Sequence, residues 1–297
     1  MITETQSVFV MTAVSNQELK QTQLLVKSLR AFGGVMQSCP VWIFVPGDDA
    51  TARRYFDDLH IQILPLEIPE SVKDYWFARK VCACTQAECK ASPVIKSLIW
   101  VSYDCLIIQP PELLQLDIEM DAAFRPVHET NIGLPVSISP DDYWKGIYQV
   151  VNLEEHHIIV ETFVDRKQIH AYFNSHIFSW NPAIGLGQQW FDVFAALVSN
   201  RDFQLKCCGD IKHQVFLHQA VLSALIEKNI TAERLRILPP VYSYPYNLHA
   251  SVSWDRRAQV LNDLVCIAYE DRSLHPLKVH DIDIREPLKS WLANYVA

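Results

Sequence analysis

Apolar runs without polar alternation, separated by stretches of helical spacing, constrain this chain more than any other feature. VFVMTA (8–13), VWIFVP (41–46), IQILPLEI (61–68) and LIWVS (98–102) read as strands. Between them lie NQELKQTQLLVKSLRAF (16–32), ARRYFDDL (52–59) and SVKDYWFARKVCACTQAECKA (71–91), which read as helices. The first of these carries Leu24, Leu25, Leu29 and Phe32 on one face and stops at Gly33-Gly34. Strands that are apolar throughout are buried on both faces, and strands alternating with helices build a mostly parallel sheet. The expectation is an α/β fold: a Rossmann-type, mostly parallel sheet flanked by helices.

The second half is less regular and predicts a smaller, mixed C-terminal half. Residues 122–127 and 171–180 read as strands, and 185–199 and 213–228 as helices. Residues 132–161 show no clear period and read as a long loop region, and 235–247 as a short strand followed by a Pro-interrupted aromatic loop. No repeat or linker interrupts the chain. A single domain over 1–297 is expected, with a nucleotide-binding half at about 8–127 and a sugar-binding half at about 128–280.

Composition excludes some functions. A net charge of −8 argues against a nucleic-acid partner, whose phosphates call for a basic face. No apolar run approaches the ~20 residues that span a bilayer, and MITETQSVFV has no basic start before its apolar run, so no cleaved leader or transmembrane segment is expected. Cys82, Cys84 and Cys89 are close and Cys207-Cys208 adjacent, without paired C-x-x-C spacing. Buried, reduced thiols and a cytoplasmic location are expected. A hydrolase using Cys207 or Cys208 has only the adjacent thiols in its favour. Neither glycine-rich phosphate loop is present, so a phosphate ligand would rest on side chains, helix ends or metal.

Ligands of such sheets bind beyond the carboxyl ends of the strands. Asp104 falls just past LIWVS. Taken alone, it is either a site acid or a turn residue.

Several short motifs follow one another: VFVMTAVSNQELKQ, WFARKVCACTQAE, LIWVSYDCLIIQPPELLQL, AYFNSHIFSWNP, LHQAVLSALI and LPPVYSYPYN. In this order, over about residues 8 to 247, they resemble the GT-A-fold nucleotide-diphospho-sugar transferases, closest to the glycogenin-like glycosyltransferase family 8, with a degenerate Asp-x-Asp motif. The resemblance implies transfer of a hexose from a nucleoside-diphosphate sugar to a hydroxyl of a glycan or other acceptor, with retention of configuration. It places Thr12 and Ala13 at the nucleotide, Arg79 and Lys80 at the diphosphate, and Ser102, Tyr103 and Asp104 in the Asp-x-Asp position. It places Asn174, Ser175, His218 and Gln219 at the donor sugar, Lys278 near the diphosphate, and Tyr244, Tyr246 and Asn247 on the acceptor side. Arg79, Asp104, Asn174 and Gln219 carry the catalytic expectation.

The chain departs from that pattern at four positions. Ser102 replaces the first acid, His176 a glycine, His218 an acid, and Ala268 a metal-binding histidine. Two acids at i and i+2 can converge on one hard cation, which neutralises a diphosphate as it leaves; here Asp104 remains alone. The expectation is weak Mn²⁺ or Mg²⁺ binding through Asp104, or none, with Arg79, Lys80, His275 and Lys278 neutralising the phosphates. The alternative is an inactive GT-A-fold protein that binds a nucleotide or glycan. Of the remaining candidates, His156-His157 reads as a solvated loop. Tyr143, Trp144 and Tyr148 read either as acceptor stackers or as packing, and Tyr242 joins Tyr244 and Tyr246 as an acceptor wall.

Overall fold

The computed structural model describes residues 6–47, 50–56 and 61–296. Its first half runs β1 (Ser7–Thr12), α1 (Asn16–Phe32), β2 (Val41–Val45), α2 (Ala50–Arg53), β3 (Ile61–Pro65), α3 (Ala78–Lys90), β4 (Ser97–Val101) and β5 (Cys105–Ile107). Next come β6 (Ala122–Phe124), α4 (Asp142–Val151), β7 (Ile159–Glu161), β8 (Gln168–His170), β9 (Ile177–Trp180), α5 (Leu186–Ser199), α6 (Arg201–Cys207) and α7 (Ile211–Asn229). The chain closes with β10 (Leu235–Ile237), β11 (Tyr244–Pro245), β12 (Cys266–Ala268) and α8 (Leu288–Tyr295).

Among the described residues, seven strands form the main sheet in the order β10-β6-β9-β4-β1-β2-β3. β4, β1, β2 and β3 are mutually parallel, β10 is parallel to β6, and β9 runs antiparallel between β4 and β6. Side chains of β1 alternate between two cores. Val8 and Val10 face α3, α5 and α7, while Phe9 and Met11 face α1. The chain crosses from β1 to β2 on one side and from β3 back to β4 on the other. The carboxyl ends of β1 and β4 therefore flank a topological switch, where α/β sheets hold ligands. A third apolar cluster joins β5, β11, β12 and α8.

Several expectations change. The helix predicted over 71–91 begins only at Ala78, because Phe77 takes a left-handed backbone (φ 58°) and stops the helix there. The helix predicted over 52–59 is described as α2 alone, and its residues 57–59 lie outside the described residues. The strand predicted over 171–180 shortens to β9, since Asn174 Oδ1 accepts from the His176 backbone N–H (2.8 Å) and turns the chain ahead of it. The long loop at 132–161 contains α4, capped by Asp141, whose side chain accepts from Trp144 N. Tyr143, Trp144 and Tyr148 form the buried face of α4, so their role is packing. His156-His157 lies in a loop with His157 exposed, while His156 is half-buried, its Nδ1 3.1 Å from Oε2 of the buried Glu227. The cysteines are free thiols, but not all buried: Cys89 is exposed, and Cys39 and Cys207 are half-buried.

Glu88, in the last turn of α3, ties the sheet to α5. Its carboxylate accepts from Trp180 Nε1 (2.9 Å), Gly187 N (2.8 Å) and Gln188 N (2.9 Å), capping a helix from a neighbouring element. Hydrogen bonds to a charged acceptor are worth roughly 1.5–3 kcal/mol each and are not additive. Glu88→Ala is expected to cost about 2–4 kcal/mol in chemical denaturation; a loss under ~0.5 kcal/mol would show that the cap is dispensable.

Candidate active site

A cleft of about 600 Å³ opens at the carboxyl ends of β1 and β4. Thr12 at the end of β1 and the Ser102-Tyr103-Asp104 turn after β4 form one side. The amino-terminal turns of two helices face it, with Gln17, Glu18 and Gln21 from α1 and Arg79 and Lys80 from α3. Phe77, Trp100, His176, Glu270 and Asp271 complete the part nearest the reacting groups. Arg79 and Asp104, about 25 positions apart in sequence, thus look into one hollow.

Each basic group is held differently. The Arg79 Nη1 sits 2.9 Å from Glu18 Oε1, with the Tyr103 ring 5.8 Å from the guanidinium carbon. Glu18 itself accepts from Val14 N (2.9 Å), and its own N–H donates to Ser15 Oγ, so the acid is fixed by the capping of α1. Lys80 is buried, and its Nζ donates to the carbonyl and the hydroxyl of Ser175, both at 3.0 Å. Burial lowers its pKa to about 8, against the opposing pull of Asp104. No side chain caps α3; the Ala78 and Lys80 N–H groups donate to the Tyr75 and Phe77 carbonyls, so its first turn adds the positive end of the helix dipole to two cations, a setting that favours an anion. Phe77, exposed and left-handed, is a conformational outlier for a bulky residue, of the kind that gathers at ligand sites.

The acids of the cleft exceed the single Asp104 read from the sequence. Tyr269 N donates to the Asp104 carbonyl (2.9 Å), and this contact brings Glu270 and Asp271 to the rim. Burial and the neighbouring Asp104 push the Glu270 carboxyl up. Its Oε1 lies 3.9 Å from His176 Nε2. Glu18, Glu270 and Asp271 escaped sequence reasoning. Only Glu18 left a signal, as the fourth residue of Ser15-Asn16-Gln17-Glu18, a capping box.

Asn174, Ser175, His218 and Gln219 do not line the cleft; they form a buried layer behind it. Ser175 Oγ lies 3.0 Å from His218 Nε2 and 3.2 Å from Gln219 Oε1 while receiving Lys80. His218 Nδ1 donates to Val215 O, and burial drives its pKa well down, so Nε2 of the neutral ring accepts from Ser175. The His218 ring stacks on Phe77 (4.3 Å), supporting the cleft from beneath. Ala13 is buried at the end of β1. Tyr242, Tyr244 and Tyr246 are interior: the Tyr242 hydroxyl accepts from Leu113 N, the Tyr244 hydroxyl pairs with His249 Nδ1, and the Tyr246 ring lies under Arg272. Asn247 reaches Glu270. His275 and Lys278 lie outside the cleft lining. Burial raises the thiol pKa of Cys207 and Cys208, which leaves neither poised as a nucleophile.

The family model for a Rhodobacterales glycosyltransferase domain matches residues 9–229. The chain belongs to that family. It is a glycosyltransferase with the GT-A fold. The solved structure of the galactosyltransferase LgtC, in complex with donor and acceptor sugar analogues, superposes with a TM-score of 0.57 at 12% identity, covering 98% of this chain and 96% of that one. An active-site mutant of LgtC gives 0.57 at 11% identity, with coverage of 98% and 96%. The bifunctional glycosyltransferase WbbM in its apo form gives 0.51 at 8% identity, covering 99% of this chain and 52% of that one. At such identities the likeness shows the fold alone. No curated protein matches the chain. Among the described residues, no helix of this glycosyltransferase is long and apolar enough to cross a membrane.

The donor set does not make a preformed divalent-cation cage. Among the described residues, no three His, Cys, Asp or Glu groups converge on one point. Ser102 offers a hydroxyl 3.3 Å from Trp100 Nε1, and Ala268 offers nothing.

Lys80 yields opposite signs for stability and for binding. Its folded pKa lies below the unfolded value near 10.5, so the cost of burying the cation is felt below about pH 8 and fades as pH rises. Anion affinity should do the reverse, weakening as pH climbs through 8. Lys80→Met is expected to weaken nucleoside-diphosphate affinity about tenfold or more and to flatten that pH profile, without lowering Tm by more than a few degrees. Calorimetric titration from pH 6.5 to 9.5 checks it; unchanged affinity in a folded variant would remove Lys80 from the site.

Proposed function

We propose that the cleft binds a nucleoside-diphosphate sugar and transfers its hexose to a hydroxyl acceptor, with retention of anomeric configuration. One observation carries the reading: Arg79, Lys80 and the uncapped first turn of α3 face Asp104 across a cleft at the sheet's switch point. The likeness to LgtC, whose structure holds donor and acceptor sugar analogues, supports the substrate class. In this reading residues 8–127 supply the nucleotide half, and residues 128–280 the sugar and acceptor half. The free thiols fit a reducing, cytoplasmic setting.

The bond from the anomeric carbon to the diphosphate oxygen breaks, and its electron pair stays on the leaving phosphate. The acceptor oxygen bonds to that carbon on the face the phosphate leaves, and its proton passes to the leaving oxygen. Lys80 and Arg79 meet the charge that gathers on that oxygen, where fixed cations act most strongly. Lys80 is held in place by Ser175, itself positioned by His218 and Gln219. Arg79 must exchange Glu18 for phosphate, a swap of one oxyanion for another. Asp104, Glu270 and Asp271 oppose a dianion, so the two cations work against a local acidic field. Cation dependence is proposed to be weak.

A donor panel should identify one nucleotide sugar hydrolysed slowly without acceptor, with less than about tenfold change between chelator and millimolar Mn²⁺ or Mg²⁺. Binding of nucleoside diphosphates with no turnover of any donor would refute the transfer. Glu270→Gln separates two roles. As a bystander acid its removal strengthens metal-free diphosphate affinity a few-fold; if Glu270 were a cation ligand, the variant would instead lose Mn²⁺-stimulated binding.

A further inference from the structure

A second cavity, of about 580 Å³, lies on the same edge of the sheet as the cleft. β6 and β10 run parallel to β4 through the intervening β9, so their carboxyl ends point the same way as those of β4 and β1. Arg125 follows the end of β6 and lines this cavity with Phe163, Leu238 and Pro239. Its side chain is 2% exposed. Among the described residues no carboxylate lies within ion-pair distance of it, and its hydrogen bonds use Nη1 alone, to Ser243 O (3.2 Å) and His128 Nδ1 (2.5 Å). Nε and Nη2 are left to the cavity side. The guanidinium lies 4.8 Å over the Phe163 ring, which supports a cation without neutralising it. The one acid on the lining, Glu161, is engaged by Arg256 at the rim.

A buried cation without a counter-charge is costly. Here burial pulls the guanidinium pKa down to about 9, the signature of that cost. The acceptors around it are neutral. His128 Nδ1 accepts from Arg125, and burial keeps the ring neutral, so its proton sits on Nε2. His128 Nε2 lies 3.2 Å from the Asn174 amide nitrogen. Asn174 Oδ1 in turn accepts from His176, whose ring forms part of the cleft wall. A chain of side chains therefore runs from the cavity to the cleft, rich in N–H groups and without one negative charge.

We infer that this cavity is a subsite for an oxyanion, a carboxylate or a phosphate, carried on the sugar that receives the hexose. The word acceptor rests on the transfer proposed above; the anion subsite itself rests on Arg125. An acidic sugar seated there supplies the missing counter-charge, lays its ring against Phe163, Leu238 and Pro239, and directs its free hydroxyls along the sheet edge toward His176.

The test uses the full chain and three probes: methyl glucuronide, glucose 6-phosphate and methyl glucoside, titrated with and without a saturating nucleoside diphosphate. One or both charged probes should bind at least tenfold more tightly than the neutral one, and the stronger of the two identifies the anion. The nucleoside diphosphate should not displace it. Arg125→Met should abolish the preference while changing nucleoside-diphosphate affinity less than twofold. Because Arg125 is buried, Ile237→Trp, at the half-exposed mouth of the cavity, serves as the second variant. It leaves the guanidinium intact and should block the charged probe equally. Equal affinity for all three probes, displacement by the nucleoside diphosphate, or an unchanged preference in Ile237→Trp would overturn the subsite. A preference that survives these controls in a protein without transfer activity would keep the subsite and discard only its acceptor role.

Discussion

The site depends on one buried cation. Lys80 leaves the first turn of α3, passes beneath Phe77 and ends on the hydroxyl and carbonyl of Ser175, just ahead of β9. That contact joins a helix on one face of the sheet to the antiparallel strand beside β4. It also places a positive charge at an uncapped helix terminus, where charge is hardest to keep. The neighbouring layer is built to tolerate it: Ser175 accepts from Lys80, its one hydroxyl proton is shared between neutral His218 and Gln219 as alternative acceptors, and Trp190 Nε1 fastens the His218 carbonyl (2.7 Å). A desolvated cation costs folding energy and gains strength toward an anion in the same act, because both follow from the absence of water.

The departures from the family-8 pattern look less isolated in this light. Ser102 and Ala268 stand where the resemblance leads one to expect an acid and a histidine, and the cleft holds Asp104, Glu270 and Asp271. Glu270 arrives through a backbone contact, Tyr269 N to Asp104 O, that no motif records. His176, in the place the resemblance gives to a glycine, stands 3.9 Å from Glu270 and bonds Asn174, so it ties the cleft lining to the buried layer behind it. Arg79 and Lys80 enter from the α3 side, with Glu18 paired to Arg79, and Glu270 and Asp271 from the segment after β12.

Residues differ in how far the sequence exposed them. Asp104 was legible because it lies at a strand end, and Arg79 through the Phe-Ala-Arg pattern of the family resemblance; the helix start that turns Arg79 to the same edge was not. Asn174, Ser175, His218 and Gln219 were legible as polar interruptions of apolar segments, but not as a supporting layer. Whether a polar side chain meets ligand or its neighbours depends on a few ångströms of packing. The alternating tyrosines at 242, 244 and 246 suggested an acceptor wall, yet their rings fill a core, with the Tyr242 and Tyr244 hydroxyls met by Leu113 N and His249. Arg125 was passed over because an arginine after a short strand reads as surface; only its 2% exposure shows that it is not.

The sequence by itself determined the alternation of buried strands and helices, the parallel core they must form, and the edge at which a ligand belongs. These follow from local periodicity and chain connectivity, which are one-dimensional. Tertiary structure alone decided which charges share a hollow, which are neutralised and which are left bare. Those are properties of distance and desolvation between residues far apart in the chain, such as Lys80 with Ser175, Asp104 with Glu270, and Arg125 with no acid beside it.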